Sequence, residues 1–297
     1  MEIGVIGVGR MGGIVARRLM RAGHAVIGYD DAPEALAAVP DLRAADSIQG
    51  LVATLALPRV IWLMLPPGEP TQEVLRALPH MLAAGDLVAD GGNSFYGDSV
   101  RYAAEYTSTG LNFVDVGVSG GVWGLDSGYG VLAGGDAASI ERVWPALEAI
   151  ASPDGAAHVG PAGSGHFAKM VHNAVEYGVM QAYAEGYELL EAGELDVDVA
   201  ATLSVWSRAC SVRSFLLERM ADAFERDRGF NSARGWVEDS GMGRWTVTDS
   251  VRLGVPAPVI TAALQARFRS RQDESPAMRA VAATRKEVGG HAVKSHG

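Results

Sequence analysis

A glycine-rich segment near the N-terminus constrains the fold of this chain more than any other feature. Gly7–Gly12, with the sequence GVGRMG, directly follows an apolar run, Glu2–Gly7, and opens an amphipathic stretch, Arg10–Ala22. In this pattern the first glycine permits a tight turn, the second lets the backbone approach a pyrophosphate, and the third lets helix and strand pack closely. The helix N-terminus offers free N–H groups to the anion. The segment predicts a dinucleotide-binding βαβ unit in which Gly7, Gly9, Arg10, Met11 and Gly12 contact the cofactor.

Two acidic residues follow the second predicted strand, Ala25–Tyr29. Asp30 stands eighteen residues beyond Gly12, close to the spacing at which a carboxylate accepts hydrogen bonds from the ribose hydroxyls of NAD. Asp30 would repel the 2′-phosphate of NADP, and Asp31 adds to that repulsion. Arg10 is the counter-evidence, because its side chain is long enough to reach a phosphate. We expect Arg10 to face solvent or to stack on adenine, and we predict NAD as the cofactor, with NADP disfavoured.

The first half of the chain alternates short apolar runs with amphipathic stretches, as βαβ units do. The runs are rich in Val, Leu or Ile, which is typical of parallel strands covered by helices on both faces. The predicted strands are Glu2–Gly7, Ala25–Tyr29, Val60–Met64, Leu87–Ala89, Asn112–Val116 and Tyr129–Ala133. Covering helices are predicted over Arg10–Ala22 and Thr71–Leu82.

The pattern becomes helical after Ser152–Gly165, a proline- and glycine-rich segment that we interpret as the passage between two domains. Further helices are predicted over His166–Leu190, Val197–Phe224, Thr246–Leu253, Val259–Arg271 and Ser275–Glu287. The predicted fold is an α/β Rossmann-type N-terminal domain followed by an all-α C-terminal domain. We expect residues 1–160 to bind NAD and residues 161–297 to serve substrate binding and dimerisation.

Charge and composition limit the partners. A net charge of −10 predicts no nucleic-acid partner, because a polyanion would be repelled and no run of Lys or Arg forms a basic stripe. The apolar runs are far shorter than a membrane span, and no signal-peptide pattern precedes the first strand. The single cysteine, Cys210, suits a reducing compartment. We expect a cytoplasmic protein with a small-molecule ligand.

The segment Gly165–Gly178 carries the candidate catalytic groups. Lys169, Asn173 and Glu176 stand at i, i+4 and i+7, so all three project from one face of a helix. A lysine buried beside a cofactor loses solvation, which lowers its pKa towards neutrality. The neutral amine can remove a hydroxyl proton while a hydride leaves, and a carboxylic acid on the same face can later deliver a proton to carbon.

The alternative for this helix is a solvated face on which Lys169 and Glu176 form an ordinary salt bridge. His172 and Tyr177 flank the same stripe, and the helix follows a predicted domain junction, where clefts form. These neighbours favour a functional site over a merely polar surface.

The chain resembles the decarboxylating 6-phosphogluconate dehydrogenases, in particular the short, NAD-linked bacterial form within the β-hydroxyacid dehydrogenases. The matching segments extend over almost the whole chain. They are Gly7–Gly12, Asp90–Ser94 (DGGNS), Val118–Gly121 (VSGG), Gly165–Gly178, Gly243–Thr246 (GRWT) and Gly289–His291 (GGH).

The resemblance implies roles for the helix residues in an NAD-dependent oxidative decarboxylation of 6-phosphogluconate to ribulose 5-phosphate and CO2. Lys169 would be the general base at the C3 hydroxyl, and Glu176 the acid that protonates C1 of the enediol. Asn173 would orient the C3 oxygen and the nicotinamide, and His172 would join the substrate contacts. Protonated Lys169 would stabilise the developing enolate, so that no metal is needed.

Further contacts are implied for both ligands. Ser119, Gly120 and Gly121 would hold the substrate carboxylate. Asn93 would lie between cofactor and sugar, and Leu65 would contact the cofactor.

The resemblance also implies a phosphate site and a dimer. Tyr177 and Arg267 would contact the substrate phosphate. Arg285 and His291 lie in a tail that, in the family, reaches into the partner subunit's active site. This implies a homodimer or higher homo-oligomer with exchanged tails. On sequence alone, Arg267 reads equally well as part of a basic solvated face, and His291 as an inert terminal residue.

Two positions depart from the family pattern. Ser240 and Met242 stand where the long-form enzymes carry a lysine and a threonine just before the Gly-Lys/Arg-Trp-Thr motif. A thioether cannot bind phosphate, so these residues leave phosphate recognition open.

Two other functions compete with this interpretation. One is a non-decarboxylating β-hydroxyacid dehydrogenase that acts on a small unphosphorylated acid, and the other is an NAD-binding regulator without catalysis. Intact Lys169 and Glu176 argue against the regulator.

Overall fold

The computed structural model describes residues 1–294, and the last three residues of the predicted C-terminal domain lie outside the described part. The chain folds into two compact units, Met1–His172 and Asn173–Gly297. This division falls inside a helix, after the predicted boundary at residue 160. The assignment of cofactor and substrate functions to residues 1–160 and 161–297 stays a prediction.

The first unit is built on one eight-stranded sheet with the order β3-β2-β1-β4-β5-β6-β7-β8. Its strands are β1 (Glu2–Ile6), β2 (Ala25–Tyr29), β3 (Arg43–Ala44), β4 (Val60–Leu63), β5 (Leu87–Asp90), β6 (Asn112–Ser119), β7 (Tyr129–Gly134) and β8 (Ala151–Gly160). Neighbouring strands run parallel except at β6 and β7, which pair antiparallel. The predicted parallel arrangement is therefore confirmed for this sheet except where β7 pairs with β6.

Helices cover both faces of this sheet. They are α1 (Arg10–Arg21), α2 (Pro33–Ala37), α3 (Ile48–Thr54), α4 (Glu69–Ala77), α5 (Tyr96–Ser108), α6 (Gly124–Ser127) and α7 (Ala137–Ile150). Successive strand residues point to opposite faces, so Val5 belongs to one buried apolar cluster and Ile6 to the other. Burial on both faces explains the continuous apolar runs in the sequence.

The prediction of a domain linker at Ser152–Gly165 is wrong over its first part. Residues Ala151–Gly160 form β8, which pairs in parallel with β7 through two register shifts. β8 is the last strand of the sheet, and an edge strand tolerates a missing N–H donor and local bulges. Pro153 and Gly155 therefore destabilise β8 only slightly. Those residues therefore mark an irregular edge strand in this chain.

Every described secondary-structure element after β8 is helical. The α-helices are α8 (Ser164–Ala192), α9 (Val199–Arg208), α10 (Phe215–Arg226), α11 (Met242–Leu253), α12 (Pro258–Ser270) and α13 (Pro276–Gly289). The sheet domain followed by helices confirms the predicted fold class.

The single helical span predicted over Val197–Phe224 is wrong, because the chain breaks there into α9 and α10. Ser214 adopts an extended conformation, and its hydroxyl accepts the N–H of Leu217 as the N-cap of α10. Leu217 is fully buried in the cluster that joins α9 and α10. The apolar periodicity continues across the break, which hides the break in the sequence.

None of the helices within residues 1–294 combines the length and the apolar character needed to cross a membrane. The cytoplasmic location stays a prediction.

Candidate active site

A cavity of about 670 Å³ opens at the carboxyl ends of β1, β2, β4 and β5. β1 lies between β2 and β4, so the sheet changes its winding direction there, and open α/β sheets form a crevice at such a point. All eight residues predicted to bind the cofactor line this cavity: Gly7, Gly9, Arg10, Met11, Gly12, Asp30, Leu65 and Asn93. The structure brings them together within the first unit.

Three glycines shape the loop between β1 and α1. Gly7 has a φ of +87°, and a Cβ atom there would lie 2.6 Å from the carbonyl oxygen of Met64. A Cβ atom on Gly12 would collide with the carbonyl oxygen of Gly7. Beside Gly9 there is open space, with nothing within 4 Å of where its Cβ atom would stand. No described side chain caps α1, so its first N–H groups and the space at Gly9 fit a pyrophosphate.

Two carboxylates line the cavity at the end of β2. Asp30 accepts the N–H of Val8 at 2.8 Å and that of Ala32 at 2.9 Å, and each of its oxygens keeps a lone pair for a ribose hydroxyl. The Tyr29 hydroxyl donates to Asp31 at 2.6 Å, and this bond raises the pKa of Tyr29. The carboxylates fit the two hydroxyls of NAD and would repel a 2′-phosphate.

Arg10 is the one basic side chain among the described residues that line this cavity, and it is exposed. Whether it stacks on adenine stays a prediction. With the volume, the open glycine loop and the paired carboxylates, the cavity fits NAD.

The segment after β5 is held by its last residue, Asp90. This buried carboxylate accepts the N–H of Gly92 at 3.0 Å and the hydroxyl of Ser94 at 2.6 Å. Between them, Asn93 is exposed and lines the cavity. The loop thus presents an amide side chain beside the cofactor cavity.

The predicted carboxylate-binding turn follows the end of β6. Val118 lines the cavity, and Ser119 is the last residue of the strand. Gly120 and Gly121 have φ values of +144° and +57°, which residues other than glycine rarely adopt. A Cβ atom on Gly121 would meet nothing within 4 Å. The turn therefore places the Ser119 hydroxyl and the backbone of Gly120 and Gly121 next to Val118, which lines the cavity.

Lys169 lies in the first turns of α8 and is buried, with 6% of its surface exposed. Its backbone rests directly on β6: a Cβ atom added to Gly117 would lie 2.5 Å from the Cβ atom of Lys169 and 2.8 Å from the carbonyl oxygen of Gly165. Gly117 precedes Ser119 by two residues on the same strand. The amine-bearing residue and the predicted carboxylate-binding turn thus lie on one strand.

A residue that sequence reasoning missed joins α8 to β6. Asp115, fully buried on β6, accepts the N–H of Gly163 at 2.6 Å and that of His166 at 2.7 Å. Burial raises the pKa of this carboxyl, and its bonds to the two N–H groups act in the opposite direction. The His166 ring is also buried and shares a 2.7 Å hydrogen bond with the hydroxyl of Ser99. An aspartate inside an otherwise apolar strand was the available signal.

The remaining catalytic candidates follow on the same helix. α8 is unbroken from Ser164 to Ala192, so the i, i+4, i+7 spacing of Lys169, Asn173 and Glu176 places them on one helix face. Asn173 and Glu176 are partly buried, and His172 is exposed. Their catalytic and binding roles stay predictions.

In the second unit, Tyr177 and Arg267 lie in contact. The guanidinium carbon of Arg267 lies 3.6 Å from the centroid of the Tyr177 ring, and an Arg267 nitrogen donates to the carbonyl oxygen of Glu238 at 2.8 Å. The Tyr177 hydroxyl accepts the N–H of Ser240 at 3.0 Å and lies 3.2 Å from its hydroxyl. The structure thus unites three residues that sequence analysis connected with phosphate recognition.

Next to this group, Asp239 pairs with two arginines, and sequence reasoning missed it too. Its side chain is almost fully buried and lies 2.7 Å from Arg244 and 2.8 Å from Arg271. The Arg244 hydrogen bond, aided by Arg271, lowers the pKa of Asp239. Met242 is also buried, and its carbonyl oxygen accepts the hydroxyl of Thr246. Met242 is therefore a packing residue of the second unit.

The two predicted tail contacts lie at the end of the described chain. Arg285 is an exposed residue of α13, and His291 follows the helix, close to Gly289. Their function in a partner subunit stays a prediction.

Two family models match the chain in sequence order. The NAD binding domain of 6-phosphogluconate dehydrogenase matches residues 2–162. The C-terminal domain of 6-phosphogluconate dehydrogenase matches residues 165–295.

Full-length relatives and solved structures are similar as well. The NAD(+)-dependent, decarboxylating 6-phosphogluconate dehydrogenase of Haloferax volcanii is 41% identical over 99% of this chain and 98% of that protein. A Bacillus subtilis protein of the same name is 33% identical over 92% of this chain and 62% of that protein. The solved 6-phosphogluconate dehydrogenase of Plasmodium falciparum has a TM-score of 0.84 at 24% identity, covering 97% of this chain and 64% of that chain. The last comparison supports the fold alone.

Proposed function

The chain belongs to the 6-phosphogluconate dehydrogenase family, and we propose that it oxidises and decarboxylates 6-phosphogluconate to ribulose 5-phosphate and CO2 with NAD. One observation carries the proposal beyond the family. Buried Lys169 rests on the strand that ends in the Ser119–Gly121 turn, beside a cavity that fits NAD. An amine, a carboxylate-binding turn and a cofactor site are the parts that oxidation of a β-hydroxy acid needs.

In the oxidation step, Lys169 acts as the general base at the C3 hydroxyl. The Ser119 hydroxyl and the N–H groups of Gly120 and Gly121 hold the substrate carboxylate, and Asn173 orients the C3 oxygen. NAD, when bound, accepts the hydride from C3. The product of this step is a 3-keto acid.

In the decarboxylation step, the new carbonyl group accepts the electrons that CO2 leaves behind. Lys169, now protonated, stabilises the developing enolate without a metal. Glu176, on the same face of α8, then delivers a proton to C1 of the enediol. One helix thus supplies both the base and the acid.

The preference for NAD rests on Asp30 and Asp31. Their carboxylates line the cavity at the end of β2, where the 2′-phosphate of NADP would bring a further negative charge. Relatives named as NAD(+)-dependent support the same preference.

The substrate phosphate binds at Arg267 and Tyr177, with Ser240 bonded to the tyrosine hydroxyl. His172 adds a substrate contact. Arg285 and His291 complete the site in the partner subunit, which makes the homodimer the working unit. The Arg267 guanidinium, fixed on the tyrosine ring, is a planar donor suited to phosphate oxygens.

Product stoichiometry tests the proposal. The purified chain with NAD, 6-phosphogluconate and EDTA should release NADH and CO2 in equal amounts, and NADP should support a much lower kcat/KM. NADH without CO2 would instead indicate the non-decarboxylating β-hydroxyacid dehydrogenase. Absence of both products would contradict the proposed function.

A further inference from the structure

Asp115 occupies the point where the catalytic helix α8 meets the sheet. From this placement we infer that Asp115 is a positioning residue: it holds the first turn of α8 on β6 and thereby fixes Lys169 relative to the Ser119–Gly121 turn. The inference rests on the proposed function, because it assigns to Asp115 the alignment of the proposed base with the substrate.

The Asp115 carboxylate accepts hydrogen bonds from two backbone N–H groups at the start of α8. The first N–H groups of a helix have no partner inside the helix. Asp115 supplies one oxygen to the N–H of Gly163, just before α8, and the other to the N–H of His166, in its first turn. A carboxylate at this end also complements the positive pole of the helix dipole. The strand therefore binds the helix start through both oxygens of one side chain.

The start of α8 packs closely against the strands around Asp115. Cβ atoms on Gly117, Gly134 or Gly165 would each lie within 3 Å of neighbouring backbone or Cβ atoms. Lys169 lies one helical turn beyond Gly165, with its Cβ atom against Gly117. With no side chain between helix and strand, a small shift of the helix start would move Lys169 directly.

A second bond ties the same helical turn to the cofactor side of the unit. His166 and Ser99 form a buried 2.7 Å hydrogen bond, and Ser99 lies on α5 (Tyr96–Ser108), just after the loop that presents Asn93 to the cofactor cavity. The first turn of α8 is thus held by β6 through Asp115 and by α5 through His166. These two attachments would hold Lys169 in a fixed position between the cofactor and the substrate, as a catalytic base requires.

Asp115→Asn is the most specific test of this positioning role. Asp115→Asn keeps the size of the side chain but replaces one acceptor by an NH2 group that faces an N–H donor. We expect kcat to fall about 10- to 100-fold, since small misplacements of a reacting group have effects of this size. The Kd of NAD, measured by fluorescence, should stay unchanged because the cavity residues are not altered.

Asp86→Asn is the matched control for a purely structural loss. Asp86 is equally buried and accepts the N–H groups of Ala83 and Arg59 and the Arg59 guanidinium, but it precedes β5 at the amino end of that strand and does not line the cofactor cavity. The Asp86→Asn variant should have a lower thermal unfolding temperature than wild type and an unchanged kcat.

Four outcomes separate the possibilities. The inference is overturned if folded Asp115→Asn has a kcat within twofold of wild type, or if Asp86→Asn loses kcat to the same extent. Should Asp115→Asn fail to fold, Asp115→Glu keeps the charge but lengthens the side chain, and an unchanged kcat there overturns the inference as well. If wild-type protein itself fails to turn over 6-phosphogluconate, the proposed function fails, which is a separate result.

Discussion

Gly117 and Lys169 approach so closely that a Cβ atom added to Gly117 would lie 2.5 Å from the Cβ atom of Lys169. The same atom would lie 2.8 Å from the carbonyl oxygen of Gly165, so backbone must move to admit it. Only glycine can therefore occupy position 117 of β6 without displacing α8, the helix that carries the proposed base Lys169.

Gly117→Ala should accordingly displace Lys169. We expect kcat for 6-phosphogluconate to fall about 10- to 100-fold and stability to fall by about 1–3 kcal/mol from overpacking, with the Kd of NAD unchanged. Steady-state kinetics, NAD titration and denaturant unfolding measure the three effects. Gly235→Ala is the control, because a Cβ atom there meets nothing within 4 Å. Full activity of Gly117→Ala would show that the close contact has no catalytic importance.

Lys169→Met should abolish turnover while NAD still binds. The substitution keeps a long, unbranched side chain and removes the amine, so the loss should reach at least about 1,000-fold, within the range for general acid–base groups. NADH formation and NAD titration are the measurements. Lys286→Met, at an exposed position of α13, should retain wild-type rates. Normal turnover by Lys169→Met would exclude it as the base.

The sequence predicted those parts of the fold and site that depend on neighbours along the chain. The glycine loop, the strand before it and the helix that carries Lys169, Asn173 and Glu176 follow local patterns of spacing and hydrophobicity, and the structure has them where expected. Their signals are local, because a turn or a helix face involves residues only a few positions apart.

Features that depend on tertiary context escaped prediction. Ala151–Gly160 forms a strand only because β7 is available to pair with it, and its proline and two glycines gave the opposite indication. Asp115 contacts the backbone of Gly163 from 48 residues away, and Asp239 pairs with Arg271 across 32 residues. Single-sequence periodicity contains no information about such partners.

Asp30→Ala should weaken NAD binding by about 100-fold or more. The carboxylate provides charge-assisted hydrogen bonds, each worth roughly 1.5–3 kcal/mol, and it also holds the N–H of Val8 in the glycine loop. Discrimination against NADP should decrease in parallel, as measured by titration with both cofactors. Asp41→Asn, an exposed carboxylate outside the cavity, should bind NAD normally. Unchanged NAD affinity of Asp30→Ala would remove it from the cofactor site.

Asp239→Asn should destabilise the chain by about 1–3 kcal/mol at neutral pH, because a nearly buried carboxylate loses its bonds to Arg244 and Arg271. The folded pKa of Asp239 lies below its ordinary value of 3.8. The contribution of the ionised Asp239 side chain to the free energy of unfolding is therefore complete above pH 3.8. This contribution decreases as the pH falls towards the folded pKa of Asp239.

Denaturant unfolding from pH 7 to pH 2.5 measures this difference between wild type and Asp239→Asn. The difference should stay constant from pH 7 to about 5 and shrink in the acid range. Asp273→Asn removes an exposed pair with Arg234 and should change stability by less than about 0.5 kcal/mol. A difference that grows on acidification would contradict the assigned pairing.

Mixed dimers should reveal whether the tail completes the partner's site. An Arg285→Ala/His291→Ala double variant and Lys169→Met should each be nearly inactive alone. In a mixed dimer, the site with an intact Lys169 receives an intact tail from the other subunit and is restored. Random exchange at equal amounts makes half of the dimers mixed, each with one competent site, so about a quarter of wild-type activity should return.

The control mixture pairs Lys169→Met with Glu176→Gln. Both residues lie on α8 of one chain, so each subunit of the mixed dimer carries a damaged helix and no activity should return. Complementation in the first mixture alone places Arg285 and His291 in the partner's site, because only groups from different subunits can be exchanged in this way. If the double variant retains full kcat/KM for 6-phosphogluconate, or if the first mixture stays inactive after verified subunit exchange, the tail does not complete the site.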